Sequence, residues 1–148
     1  MTEISPHSGN IKQNIHYFPL RVYYEDTDVG GVVYYANYLK FMERARSEML
    51  RCLDIDQKEM LDYNRSDDVS FVVRHAEIDF KKSANFDDQL MIESKVIELK
   101  GASVIIKQKI LKNDEILVTG IIKIAALGKD GKPKRLPSTI EDKFKLMN

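Results

Sequence analysis

The spacing of hydrophobic residues changes in the first third of the chain. Over residues 19–25 apolar and polar positions alternate, which predicts a half-buried strand. From about Ala36 apolar residues recur every three to four positions, which predicts an amphipathic helix of about 17 residues, or about 25 Å. An acidic segment and a pair of glycines separate the two patterns and predict a turn between the strand and the helix.

Most of the remaining chain follows the two-residue period of strands. The alternation predicts four more strands, over residues 69–81, 90–99, 104–111 and 116–127. Lys100 with Gly101 and Asn113 with Asp114 predict tight hairpins between the last three strands. A short helical segment is predicted over residues 56–63, and Ser138 with Glu141 matches a capping box for a terminal helix.

One long helix and five strands predict an α+β architecture. Consecutive long hairpins form an antiparallel sheet that curves, and a single helix with one apolar face must pack on that sheet. The order of one strand, one helix and four strands excludes a doubly wound parallel sheet. Residues 1–15 are polar and irregular, so we expect a flexible N-terminal tail and a single domain over residues 16–148.

Composition narrows the class of protein. The chain has 148 residues, with 23 basic and 23 acidic side chains, so the formal net charge is zero. This balance argues against a nucleic-acid-binding protein that relies on a global positive field. The single cysteine excludes an internal disulfide, and no apolar run approaches the roughly 20 residues that span a bilayer. The N-terminus lacks the apolar core of a signal peptide, so we expect a cytoplasmic protein without stable membrane insertion.

Residues 23–46 combine three features that suit attack on a carbonyl group. A carboxylate, a flexible glycine pair and a helix N-terminus lie within a few residues of one another. The free N–H groups at a helix N-terminus can stabilise a developing oxyanion, and an adjacent Asp can act as nucleophile or general base. The carboxylates of Glu25, Asp26 and Asp28 are also suitable ligands for Mg²⁺, but the sequence offers no further ligand cluster. We therefore expect no metal, and we expect Asp26 to shape the turn or to act on Asp28 through the proximity of like charges.

Two segments carry a resemblance to a known family. The run YYEDTDVGGVVYYANYLKFMERARSEML, residues 23–50, resembles the signature of hotdog-fold acyl-CoA thioesterases of the 4-hydroxybenzoyl-CoA type. It is most similar to the YbgC-like branch, which is associated with the Tol-Pal system. Residues 71–94 are similar to a strand-loop-strand pattern of the same branch. The resemblance covers roughly residues 20–137.

The resemblance implies a hotdog fold, in which a five-stranded antiparallel sheet of order 1-3-4-5-2 wraps around the long helix. It also implies a homodimer or homotetramer with active sites at the subunit interface. The implied substrate is an acyl-CoA thioester, hydrolysed to a free acid and CoA without a cofactor. The alternative is a non-catalytic module of the same fold that binds acyl-CoA or acyl carrier protein.

The resemblance also assigns roles to individual residues. Asp28 is the implied catalytic carboxylate, and the backbone N–H of Tyr35 is the implied oxyanion donor. The branch commonly has His where this chain has Tyr35, so the rate and the acyl preference stay open. Gly31, Val33 and Tyr34 are candidate substrate-binding residues, since an aromatic wall suits an apolar acyl chain. Lys134 and Arg135 belong to a basic cluster beyond the last strand and are candidates for the phosphates of CoA, with solvated surface as the alternative.

Other routes to hydrolysis have weaker support. Cys52 occupies a core-like helical position, which favours a buried, inert thiol over a nucleophile. The sequence contains no GxSxG elbow, so a Ser-His-Asp hydrolase is not expected. A hotdog hydratase would need a His paired with Asp or Glu, and no such pair stands out.

Overall fold

The computed structural model describes residues 4–148 and shows one antiparallel sheet packed on a long helix. The strands lie in the order β1-β2-β4-β5-β6-β3. Their bounds are β1 Asn10–Lys12, β2 Ile15–Arg21, β3 Ser70–Phe80, β4 Gln89–Lys100, β5 Ser103–Lys112 and β6 Glu115–Leu127. The helices are α1 Asn37–Cys52, α2 Gln57–Leu61 and α3 Ser138–Lys145. None of the helices within residues 4–148 has the length and apolar character that crossing a bilayer requires.

The sheet has six strands where the sequence analysis predicts five. The additional strand, β1, is three residues long and pairs with the outer edge of β2. Without β1, the order β2-β4-β5-β6-β3 is the predicted order 1-3-4-5-2. The correction therefore concerns one edge of the sheet and leaves the hotdog arrangement of the five longer strands in place.

Part of the expected tail over residues 1–15 is folded. Gln13 and Asn14 adopt positive φ angles of 52° and 68°, and they form the two-residue turn that joins β1 to β2. Gly9 also has a positive φ, and a Cβ atom there would lie 2.1 Å from the Tyr17 carbonyl oxygen. Ser8 donates a hydrogen bond to the Glu48 side chain on α1. Residues 1–3 of the expected tail lie outside the described residues.

Helix α1 buries one face against the concave side of the sheet. Phe41, Met42, Ala45 and Met49 are at most 1% exposed, and they pack among inward-facing aliphatic residues of β4, β5 and β6. Gly120 on β6 allows this close approach, because a Cβ there would lie 3.1 Å from the Met42 side chain. The predicted helix is thus confirmed, with a length of 16 residues.

A buried polar row crosses the sheet beneath α1. His16, Ser94 and Gln108 are paired in register across β2, β4 and β5, and all three are fully buried. The Gln108 amide nitrogen donates to the Met42 carbonyl and to the Ser94 hydroxyl, at 3.0 and 2.9 Å. Arg46 donates to the Gln108 amide oxygen at 3.0 Å. These bonds fix the helix to the centre of the sheet.

Two local predictions are wrong. The first long strand covers Ile15–Arg21 and not residues 19–25, because Tyr24–Asp26 forms a turn of 3-10 helix. The predicted capping box is absent: Ser138 is the first residue of α3, Pro137 occupies the N-cap position, and no side chain caps the helix. In both places local backbone geometry overrides a pattern that is otherwise typical of the predicted element.

Candidate active site

Asp26 organises the turn between β2 and α1. The residue is only 6% exposed, and its carboxylate accepts a hydrogen bond from the Tyr23 amide at 2.8 Å. Its carbonyl oxygen accepts bonds from the Tyr34 amide at 3.0 Å and from the Asn37 side chain at 2.9 Å. Asp26 therefore ties the entry of the turn to the start of the helix, which agrees with the structural role expected from the sequence.

Asp28 lies two residues further on and has a different environment. Its side chain is exposed, and one carboxylate oxygen accepts a hydrogen bond from the Gly30 amide at 2.8 Å. Its backbone is fixed by a bond from its own amide to the Val32 carbonyl at 2.9 Å and by one from the Gly31 amide to its carbonyl at 3.1 Å. Among residues 4–148 the second carboxylate oxygen accepts no hydrogen bond. The turn thus holds Asp28 in place and leaves one oxygen available for chemistry.

The start of α1 offers unpaired amides. Ala36 occupies the N-cap position, and no side chain caps the helix. Within the described part of the chain, the amides of Tyr35 and Ala36 donate to no other group, whereas the Asn37 amide donates to the Tyr34 carbonyl at 2.8 Å. Free amides at a helix N-terminus carry partial positive charge and can bind an oxyanion.

The other turn residues assigned to substrate contact have unlike environments. Gly31 is exposed, with a φ of +82° that suits glycine in a turn. Tyr34 is 49% exposed. Val33 is only 4% exposed and belongs to the hydrophobic core, so this chain alone does not present its side chain to a substrate.

The basic pair lies at the opposite end of the sheet. Tyr35 packs against Phe80, at the last residue of β3, whereas the Lys134 amide bonds to Ala126, which pairs with Phe71 near the first residue of β3. Nine residues of strand separate these two ends, or about 30 Å. Lys134 also donates from its side chain to the Ser66 carbonyl, and Arg135 is exposed. A single chain therefore does not bring the basic pair to Asp28.

Exposed aromatic rings flank the turn, and sequence reasoning missed two of them. Tyr35 contacts Tyr34 and Phe80, with ring centroids 5.1 and 5.8 Å apart. On the other side Tyr24 contacts Phe86 edge-on at 5.9 Å. Phe80 and Phe86 lie in the second segment that carries the family resemblance, which is the signal that could have identified them.

The grooves beside α1 lie away from the turn. One is lined by α1, β3 and α3 and includes Leu50, Phe71 and Phe144, and its neighbour includes Leu39 and Ala76. Both contain Glu43 and Arg46 and neither contains Asp28. Burial lowers the pKa of the Arg46 guanidinium, and the nearby Glu43 charge opposes that shift. Both grooves lie between α1 and the part of the sheet that contains β3 and β6.

The remaining candidate groups do not form a second site. Cys52 is at the far end of α1 from Asp28, burial raises the pKa of its thiol, and its sulfur lies 3.4 Å from the Ser8 carbonyl. Within residues 4–148 no group of three or more His, Cys, Asp or Glu side chains is arranged to hold a metal ion. What remains is one exposed carboxylate in the turn that leads into α1 and two unpaired amides at the start of that helix. A carboxylate and free amides are the group types that attack on an activated carbonyl requires.

Comparisons with known proteins agree with this chemistry. The family model of the thioesterase superfamily matches residues 30–119. The chain is 44% identical over 129 residues to the acyl-CoA thioesterase YbgC of Haemophilus influenzae, covering 86% of this chain and 92% of the relative. It is 37% identical over 130 residues to the acyl-CoA thioester hydrolase YbgC of Escherichia coli O6:H1, covering 86% and 94%. The crystal structure of a "Probable Thioesterase" from Bartonella henselae superposes with a TM-score of 0.79 at 42% identity, covering 83% of this chain and 99% of that one.

Proposed function

Because this chain belongs to the thioesterase superfamily, we propose that it is an acyl-CoA thioesterase, which converts an acyl-CoA and water into a free acid and CoA. One observation carries the assignment to a site: hydrogen bonds hold the exposed carboxylate of Asp28 in the turn that leads into α1, and the amides at the start of that helix are unpaired among the described residues. A thioester has a good leaving group, so one carboxylate and an oxyanion donor are sufficient chemistry.

The proposed reaction begins with the thioester carbonyl docked at the helix start. The Tyr35 amide donates a hydrogen bond to the carbonyl oxygen and stabilises the negative charge that develops there. In one route Asp28 removes a proton from water while the water oxygen bonds to the carbonyl carbon, and the C–S bond then breaks. In the other route Asp28 itself bonds to that carbon and expels the thiolate. The resulting mixed anhydride is then hydrolysed by water.

We further propose that the active unit is a homodimer joined through β3. This strand is 11 residues long and pairs only with β6 among the described residues, so its other edge is unpaired. Val72, Val73 and Phe80 on this strand are 42–50% exposed. Antiparallel pairing of two β3 strands would place the first residue of one beside the last residue of the other. Lys134 of the partner subunit would then approach the end of β3 that lies near Tyr35. There it could bind the phosphates of a docked CoA.

Mixing two inactive variants tests this shared site. We expect Asp28→Asn to remove the carboxylate and Arg135→Glu to remove a CoA contact, so that each purified variant is impaired. Refolding the two together creates mixed dimers in which one of the two sites has both native residues. Recovery of activity on mixing supports a site built from two subunits, and no recovery contradicts it. Light scattering on the native protein distinguishes a dimer from a tetramer.

Thiol release from a panel of short, long and aromatic acyl-CoA esters tests the activity itself. Turnover of at least one ester is expected, whereas binding of every ester without turnover would favour the non-catalytic module for acyl-CoA or acyl carrier protein. Single-turnover hydrolysis in ¹⁸O-labelled water separates the two routes, because only the covalent route can label the Asp28 carboxylate. We propose that the protein acts in the cytoplasm, since acyl-CoA esters are made and used there.

A further inference from the structure

One buried peptide connects the turn that carries Asp28 to the first turn of α1. Ala84 lies in the loop between β3 and β4 and is fully buried. Its amide donates to the Tyr38 hydroxyl on α1 at 2.8 Å. Its carbonyl accepts from the Val33 amide, also at 2.8 Å. Both backbone groups of Ala84 are therefore used to join two elements that are distant from it in sequence.

The same loop runs alongside the Asp28 turn for several residues. The Phe86 amide donates to the Gly31 carbonyl at 3.1 Å, and Val32 forms a bridge with Asn85. Since the Val32 carbonyl also accepts the Asp28 amide, the loop supports the backbone on which Asp28 depends. Asp26 fixes the start of the turn, and the contacts of residues 84–86 with residues 31–33 fix its end.

Tyr38 joins the loop of residues 84–86 to helix α1, and its ring is closely surrounded by other side chains. The residue is 3% exposed, and its ring lies against Phe41 and Phe80 with centroids 6.1 and 5.9 Å away. Burial raises the pKa of the phenol, so the hydroxyl that receives the Ala84 amide stays protonated at neutral pH. A ring held on several sides can fix the loop precisely with respect to α1.

We propose that Tyr38 is a positioning residue for the hydrolysis: through Ala84 it sets the distance between the Asp28 carboxylate and the amides at the start of α1. This inference rests on the proposed function. The hydroxyl touches neither the turn nor the proposed substrate position directly, so its effect is on geometry. A reacting group displaced by about 1 Å can cost as much as a hundredfold in rate.

Tyr38→Phe tests the proposal because it removes one oxygen atom and leaves the ring. Tyr63→Phe is the matched control, since the Tyr63 hydroxyl donates a single bond to Ser70 at 2.9 Å near the opposite end of β3. We expect Tyr38→Phe to lower kcat about tenfold with KM within twofold of the native value. We expect Tyr63→Phe to leave both constants unchanged. Thermal unfolding of both variants accompanies the kinetics.

The outcomes separate this inference from the function on which it rests. A kcat loss confined to Tyr38→Phe, at a similar decrease in melting temperature for the two variants, supports the positioning role. An unchanged kcat in Tyr38→Phe, or an equal loss in both variants, overturns it while the thioesterase activity of the native protein stands. Absence of turnover by the native protein on every ester overturns both.

Discussion

Replacing Asp28 with Asn separates chemistry from folding at this site. The side chain is exposed, and the one bond it accepts, from the Gly30 amide, can also be accepted by the amide oxygen of Asn. The backbone bonds that hold the turn do not involve the substituted atoms. We therefore expect the free energy of unfolding to change by less than about 1 kcal/mol. For a chain of this length that is a shift of at most about 4 °C in Tm.

The effect on turnover should be much larger. An amide can neither remove a proton from water nor attack a thioester, and a catalytic acid or base typically contributes about a hundredfold to ten-thousandfold. A hundredfold loss of kcat corresponds to about 2.7 kcal/mol in the activation barrier. The assay is release of the CoA thiol at saturating acyl-CoA, with thermal unfolding measured on the same preparation.

Glu25→Gln is the matched control for this experiment. It makes the same change from acid to amide on an exposed residue of the same turn, and we expect native kcat. If Asp28→Asn retained more than about a tenth of the native kcat, the carboxylate would not be the catalytic group. If it lost activity together with its cooperative unfolding transition, the argument that Asp28 is dispensable for folding would be wrong.

Three further predictions concern stability. Gln108→Leu removes the buried bonds that join β5 to α1 and to β4, and it should lower the free energy of unfolding, measured in urea, by about 2–4 kcal/mol. A loss below about 1 kcal/mol would contradict this prediction. Burial lowers the pKa of His16 in the folded protein, so the imidazole binds a proton more tightly in the unfolded chain. The contribution of His16 to the free energy of unfolding should therefore be constant above about pH 6.5 and should decrease below it. His16→Asn should flatten that fall, which urea titrations from pH 5 to 8 would detect. Gly9→Ala should speed amide hydrogen exchange in β1 without global unfolding, because the added Cβ meets the Tyr17 carbonyl; unchanged exchange would contradict the steric argument.

The local pattern of apolar and polar residues was sufficient to predict the bounds of an element that has one clear buried face. The helix was predicted to begin near Ala36 and begins at Asn37, and β4, β5 and β6 begin and end within about one residue of the predicted bounds. These strands alternate between buried and exposed residues, so the period of two was visible. The bounds of β3 were also predicted to within one residue, but its apolar face is not buried in this chain, because the strand is largely exposed and contains an irregularity between Val73 and His75.

Periodicity and a long motif are properties of neighbouring residues, so the element types, the antiparallel sheet and the family could be predicted from the amino-acid sequence. It also singled out the turn that carries the candidate chemistry. The burial of Asp26 and the exposure of Asp28 in that turn became visible only in the folded chain. Only the folded chain shows Val33 in the core, the basic pair at the far end of the sheet, and Ala84 between Tyr38 and the turn. These features depend on contacts such as those of Ala84 with Tyr38 and of Phe71 with Ala126, which join residues far apart in sequence, and no local period records such contacts.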